Sequence, residues 1–386
     1  MNSASRGTGT RPSAGVCLSP SFAAGWLARL SRHGLLPGLL AAVLWMPFSP
    51  RTQPGDFTFL NPAVGASGMG SLGGSQNDLS FANYQTGVII GYDGMFRTDD
   101  GGLSWRRLPL PDVVSDDGTS RGRNWYACRM ISPSEIWALG QIHPGGLDRS
   151  RLLHSTDGGE TWTEALHGQI SGAIHLQRTG ASELWAMCHD RAFVTRDGGA
   201  TWAPVNLGIP GWVGLRDVCA LTPRLYYAVG DLRGFQTAGF AARSTDGGHT
   251  WQRLAATQEL PSLQFCQFLT PDQGWAAGAG LWHTADAGQS WQPVALPLHP
   301  EQTLSGLRFF QDGRGWVSAH IRWQGGAPVD QNAVLYTYDF GQHWLPVEGG
   351  WKQVNAMCWL DPDHGYLCGV TPGYVPGAFV GLYNPR

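Results

Sequence analysis

The sequence predicts an all-β fold, a single seven-bladed β-propeller of four-stranded antiparallel blades. Three observations predict it. One turn sequence recurs along the chain, as "HSTDGGETW" (His154–Trp162), "VTRDGGATW" (Val194–Trp202) and "RSTDGGHTW" (Arg243–Trp251). With substitutions it reads S/T-x-D-x-G-x-x-W and occurs six times, ending at Trp105, Trp162, Trp202, Trp251, Trp291 and Trp344. A period of 40 residues or more with strand patterning is the length of one propeller blade. The composition agrees: 54 Gly and 18 Trp in 386 residues, with only 14% charged, describe tight turns between aromatic strands.

Each blade can be justified strand by strand. The clearest is Leu263–Leu296, "LQFCQFLTPDQGWAAGAGLWHTADAGQSWQPVAL". Strand A lies near Leu263–Leu269, B near Trp275–Ala279, C near Leu281–Thr284, and D starts at Ser290. The Pro, Asp and Gly between them mark the turns. A second motif runs in step: "EIWALG", "ELWAMC", "LYYAVG", "GWAAGA", "GWVSAH" and "GYLCGV" each supply a strand B. After Trp344 the chain offers three more strands, near Val354–Trp359, Gly365–Val370 and Ala378–Asn384, and no seventh copy of the turn. A spare strand-like piece, Asp56–Val64, precedes the first blade. Added as the outer strand of the last blade, it closes the ring and leaves no open sheet edge. Six complete blades with a loose tail is the alternative.

The repeated turn is the C–D hairpin. Its aspartates, Asp100, Asp157, Asp197, Asp246, Asp286 and Asp339, are read as structural: each can accept backbone N–H bonds across the turn while the Ser/Thr hydroxyl braces it. Gly supplies positive φ. The Trp can pack between adjacent sheets. On this reading Asp157→Ala lowers stability and leaves partner binding unchanged in molecules that fold.

Residues 1–34 carry Arg6, Arg11, Arg29 and Arg32 and no acid, and "LLPGLLAAVLWMPF" (Leu35–Phe48) follows. That run has the length of a signal-peptide apolar region and is short for a membrane span. The expectation is a leader over 1–50, cleaved or kept as an N-terminal anchor, ahead of a propeller over 55–386 in an exported protein facing the periplasm. Pro37 and Pro47 count against the alternative, a buried helix in a cytosolic protein. A net charge of −3 argues against a nucleic-acid partner. Of the seven Cys, Cys17 lies in the leader. Cys128, Cys219, Cys266 and Cys358 sit in apolar strand-like runs, as small buried hydrophobes at equivalent repeat positions. Cys358 and Cys368 are placed to face each other on neighbouring strands, and free thiols are expected over a disulfide. No C-x-x-C or Cys/His cluster has zinc spacing, so no metal or cofactor is expected.

The S-x-D-x-G-x-T-W turn resembles the Asp-box, or bacterial neuraminidase repeat, of sialidases, some glycoside hydrolases, sortilin-type receptors and the photosystem II stability/assembly factor family. With a "GWAAG"-type strand B in every blade, the chain most resembles that last family, over about residues 55–386. The resemblance implies a propeller; it constrains function much less.

The insertions are one-sided. Blades 2, 4 and 6 lengthen the B–C connection ("QIHPGGLDRSR", "DLRGFQTAGFAAR", "HIRWQGGAPVDQNA"), and "PDVVSDDGTSRGRN" joins blades 1 and 2. In a four-stranded meander, B–C and D–A loops leave one face and box turns the other. The loop face would present Arg121, Arg123, Arg149, Arg151, Arg191, Arg233 and Arg322 with Trp212, Phe235 and Trp323, residue types enriched at protein interfaces. The plainer reading is a solvated rim in a chain whose only lysine is Lys352. Catalytic signatures are missing: there is no sialidase R-I-P motif, nucleophilic Ser motif, P-loop or dinucleotide-binding glycine pattern. Glu135 and Glu183 lie in A–B turns, and Glu160 lies inside a box. The resulting expectation is a non-enzymatic propeller that binds a protein partner, as an assembly or stability factor of a membrane or envelope complex. The alternative is a carbohydrate-active or glycan-binding propeller.

Overall fold

The computed structural model describes residues 56–60, 76–91, 94–111, 123–142, 149–166, 170, 172–189, 191–210, 212–233, 238–254, 260–298, 302–321, 334–349, 353–370 and 378–384. Among these every regular element is a strand. Seven antiparallel sheets form seven blades, and six of them take their four strands in chain order. Blade 5 consists of Leu263–Phe268, Gly274–Gly278, Gly280–Thr284 and Gln292–Val294, its outer strand starting two residues later than the turn pattern suggests. Blade 4 has an extra edge: Leu260–Pro261 pairs with Ala238–Ser244 beside the outer strand Gln252–Leu254.

The seventh blade takes its outer strand from the other end of the propeller. Asp56–Leu60 pairs antiparallel with Ala378–Asn384, Phe57 opposite Tyr383 and Leu60 opposite Val380. The ring is therefore closed, as the spare N-terminal strand predicts.

Strand character follows radial position. The second strands Gly87–Gly91, Leu184–Cys188 and Gly274–Gly278 are buried at every residue, because a blade neighbour covers each face. They consequently read as continuous apolar runs without alternation. The outer strands Arg106–Arg107, Ala203–Pro204 and Gln252–Leu254 have two or three residues, a length that blunts an exposed sheet edge.

Among the described residues the apolar core is divided between the blades. Seven apolar clusters lie between blades, one at each junction. Several junctions stack a strand-B aromatic of one blade on the last inner-strand aromatic of the next. Tyr227 meets Phe268 at 3.5 Å, Trp275 meets Phe309 at 4.0 Å, Trp316 meets Trp359 at 3.9 Å, and across the closure Tyr366 meets Phe81 at 3.6 Å. The box Trp then packs edge-on against the same pair, as Trp291 does on Phe268.

The inner strands share one irregularity. Each carries a β-bulge, after Gln76, Trp125, Ala173, Leu215, Leu263, Leu304 and Val354. The extra residue rotates the rest of the strand relative to its partner. It also corrects the cysteine alignment: counted from the bulge, Cys128 matches Cys266, whereas Cys219 matches Cys358 one residue later. Cys128 and Cys266 are buried between blades, whereas Cys219 and Cys358 are only partly buried in the wall of the axial cavity. Cys358 and Cys368 are free thiols and do not face each other, because the register sets Cys358 opposite Tyr366 and Cys368 opposite Ala356.

Candidate functional site

Three regions concentrate polar chemistry: the box turns at one end of the ring, the loop end opposite, and the axial cavity between them. The boxes repeat one hydrogen-bond pattern. In blade 2, Ser155 Oγ donates to Asp157 Oδ1 at 2.8 Å and accepts from Gly159 N at 2.8 Å. Asp157 then accepts Thr161 N at 2.9 Å and Thr161 Oγ1 at 2.6 Å. Trp162 Nε1 closes the turn on Gly159 O at 3.0 Å. These donors hold the box carboxylates below the usual range. Asp197 is drawn down to about 2, chiefly by the Thr201 hydroxyl. The position after the Asp is left-handed in every copy, and the fifth and sixth copies place non-glycine residues there, Ala287 at φ 61° and Phe340 at φ 59°. The buried hydroxyl links the two halves of the turn, donating to the Asp and accepting from the Gly N–H. Ser155→Ala orphans Gly159 N and is expected to cost about 1–3 kcal/mol in urea unfolding. A melt superimposable on wild type would show that the hydroxyl is dispensable.

Of the arginines named from the sequence, Arg123, Arg149, Arg151, Arg191 and Arg233 fall within the described residues. Arg123 opens the inner strand of blade 2 opposite Ile142, where the second strand ends, and Arg149 opens the third strand opposite that same residue. Trp212 and Arg233 face each other at the same end of blade 4. Arg191 lies in the second-to-third strand turn of blade 3, and its carbonyl accepts Cys188 N at 2.9 Å. Arg151 is half-buried, its Nε 3.5 Å from Glu164 Oε1. Arg121, Phe235, Arg322 and Trp323 lie outside the described residues, as does most of each long insertion. The exposed large apolar side chains among the described residues, Tyr84, Leu103 and Phe340, all stand at the box-turn end.

The axial cavity, about 580 Å³, is lined by all seven inner strands. Sequence reasoning missed it because its walls come from residues some 45 positions apart. Counted from each bulge, Ser80, Arg129, Gln177, Cys219, Gln267, Arg308 and Cys358 occupy one ring around the axis. Several of these side chains bond to the backbone of the next blade. Ser80 Oγ accepts Met130 N at 3.0 Å, Cys219 Sγ accepts Phe268 N at 3.3 Å, and Gln267 Oε1 accepts Phe309 N at 2.7 Å.

Two residues nearer the bulge, Asp78 and Asp217 do the same. Asp78 accepts Leu79 N at 2.9 Å and Cys128 N of blade 2 at 3.0 Å; Asp217 accepts Val218 N at 2.8 Å and Cys266 N of blade 5 at 3.0 Å. Their electrostatics differ. Arg129 Nη1 lies 2.7 Å from Asp78, which opposes the upward pull of burial on that carboxyl. Asp217 has no such ion pair, and burial pushes it up to about 6. Burial, with Arg129 beside it, drives His175 down to about 3, so its neutral ring can accept from Arg129 Nη2 at 3.2 Å. Among the described residues no group of three His, Cys, Asp or Glu side chains comes together to hold a metal.

Comparison with known proteins agrees with this architecture. A family model described as BNR/Asp-box repeat matches residues 153–164. The chain is 27% identical over 312 residues to a photosystem II assembly lipoprotein, Ycf48, of Synechococcus sp. (strain CC9902), covering 76% of this chain and 81% of that one. It is 28% identical over 269 residues to a xyloglucanase of Paenibacillus sp, covering 58% of this chain and only 24% of the enzyme. Among solved structures, YCF48 bound to D1 peptide superposes with a TM-score of 0.58 at 17% identity, covering 86% of this chain and 98% of that one. At that identity the superposition speaks for the fold alone. The chain is an Asp-box repeat β-propeller, similar in sequence to a photosystem II assembly lipoprotein and in fold to YCF48.

Proposed function

We propose that this chain is a non-enzymatic, exported propeller that binds a protein partner, as an assembly or stability factor or accessory subunit of a membrane or envelope complex. The observation that carries this reading is the similarity to an assembly lipoprotein over most of both chains. A YCF48 structure of the same fold has a peptide bound, which supports a protein ligand. Export, and attachment to the membrane through the N-terminal segment, rest on the basic leader and its apolar run together with the lipoprotein nature of that relative. The partner-binding surface is proposed to be the loop end, where the insertions gather. A carbohydrate-active propeller is the second reading, favoured by the xyloglucanase similarity; the chain matches about a quarter of that enzyme.

The test is capture from native membranes of the source cell with the tagged full chain. Replacing Arg121, Arg123 and Arg149 with Ser is expected to weaken capture of the partner and flatten its salt dependence, with the melting temperature nearly unchanged, because rim charges steer association and contribute little to folding. Arg151 is kept, since it pairs with Glu164. Changing the exposed Glu160, His249 and Leu103 at the box-turn end is the control. Loss of capture by the control alone inverts the surface assignment. Release of reducing sugar from xyloglucan by the purified chain decides for the second reading.

A further inference from the structure

The axial ring holds two arginines in equivalent places, and the structure treats them differently. Arg129 of blade 2 meets a carboxylate from the preceding blade, Asp78, at 2.7 Å. Arg308 of blade 6 occupies the matching position, but the residue of blade 5 that corresponds to Asp78 is Phe265. Arg308 accordingly has no ion pair and no hydrogen bond among the described residues. Its Nε is closed off from solvent without a partner, and its guanidinium lies 5.0 Å over the Phe310 ring.

The remaining charges of the cavity wall are accounted for. Arg216 is held by Asp231 through Nε at 2.6 Å. Arg178 is exposed, its Nε turned to Gly180 O at 3.0 Å. Asp217 spends both oxygens on backbone N–H groups. A half-buried cation without a counter-charge is costly, and an arginine fork is shaped to take a carboxylate on two parallel N–H groups.

We propose that the axial cavity is a binding site for a monocarboxylate with an apolar body, whose carboxylate takes at Arg308 the place that Asp78 takes at Arg129. Arg308 offers a single positive charge with no ion-pair partner, and a ligand carrying one negative charge matches it. The Phe265 ring, standing where the blade 1 carboxylate stands, supplies the apolar wall beside it, and 580 Å³ accommodates a small molecule or the end of a peptide. The site lies on the axis, independent of the loop surface proposed for the protein partner.

The test is calorimetric titration of the purified full chain with benzoate, with benzamide as the neutral isostere and inorganic phosphate as the competing anion. A short peptide ending in Phe, as free acid and as C-terminal amide, distinguishes a chain terminus from a free acid as the source of the carboxylate. Saturable binding of benzoate or of the free-acid peptide, with benzamide and the amidated peptide weaker by about tenfold or more, is expected. Arg308→Met is expected to abolish that binding while holding or raising the melting temperature, because it removes an unpaired buried charge. Phe265→Asp supplies an internal carboxylate and is expected to block binding in a folded protein. Equal binding of benzoate and benzamide, binding that survives in either variant, preference for phosphate, or no saturable binding of any carboxylate probe would overturn the proposal.

Discussion

Deleting residues 1–64 is expected to destabilise the entire propeller, while deleting residues 1–55 leaves it intact. The difference between the two is the strand Asp56–Leu60 and the few residues after it. Phe57 enters the cluster between blades 6 and 7, and Leu60 enters the cluster between blades 7 and 1. The two side chains are on opposite faces of one strand, so its removal loosens two junctions at once. Their burial alone is worth about 3–6 kcal/mol, a large share of the stability of an ordinary domain. The strand also covers the open edge of Ala378–Asn384, which would otherwise present unpaired N–H and C=O groups. Urea unfolding followed by Trp fluorescence, run on both truncations, measures the effect. Coincident curves would mean that the ring does not need its N-terminal strand.

The second large effect is expected at the axis. Arg129→Met leaves the Asp78 carboxylate facing the cavity with two backbone N–H groups and no cation. Breaking a buried pair on one side costs about 3–5 kcal/mol, and the residual exposure of both side chains to the cavity places this pair at the lower end of that range. The pH dependence separates this cause from lost packing. Asp78 already sits above its ordinary value of 3.8 through burial, and without Arg129 it rises further. A carboxyl raised in the folded state penalises folding in full above its folded pKa; the penalty shrinks as pH falls through that value and is gone below the unfolded value. The deficit of Arg129→Met should therefore be greatest at neutral pH and shrink on acidification. Arg308→Met, the same chemical change at the matching ring position, is the internal control and carries the opposite expected sign. A pH-independent deficit in Arg129→Met would assign the effect to packing.

The sequence by itself determined the parts of this protein that are local and repeated. Each box spans eight residues, and the side-chain hydrogen bonds of its Ser/Thr, Asp and Trp reach no further than four positions, as from Asp157 to Thr161. The pattern therefore survives translation along the chain, and six copies disclose the blade, its four strands and the facing of its turns. The closing strand was legible for a related reason: three strands without a fourth, and one strand without a blade, have one economical solution.

Tertiary structure alone decided how the blades are joined and what the axis presents. Ser80 bonds to Met130 fifty residues on, and Tyr84 Oη donates to Asp361 Oδ2 at 2.6 Å across the ring closure. No local period reports such pairs. The bulge in each inner strand shifts by one residue which side chains turn to the axis, so Cys219, level with Cys128 in the apolar runs of the sequence, has its counterpart in Cys358. Asp78 stands beside Arg129, whereas the blade 5 position that matches Asp78 is held by Phe265 and leaves Arg308 without a carboxylate. Charge balance around the axis is set by neighbours in space, and in a closed ring those neighbours are a whole blade apart in sequence.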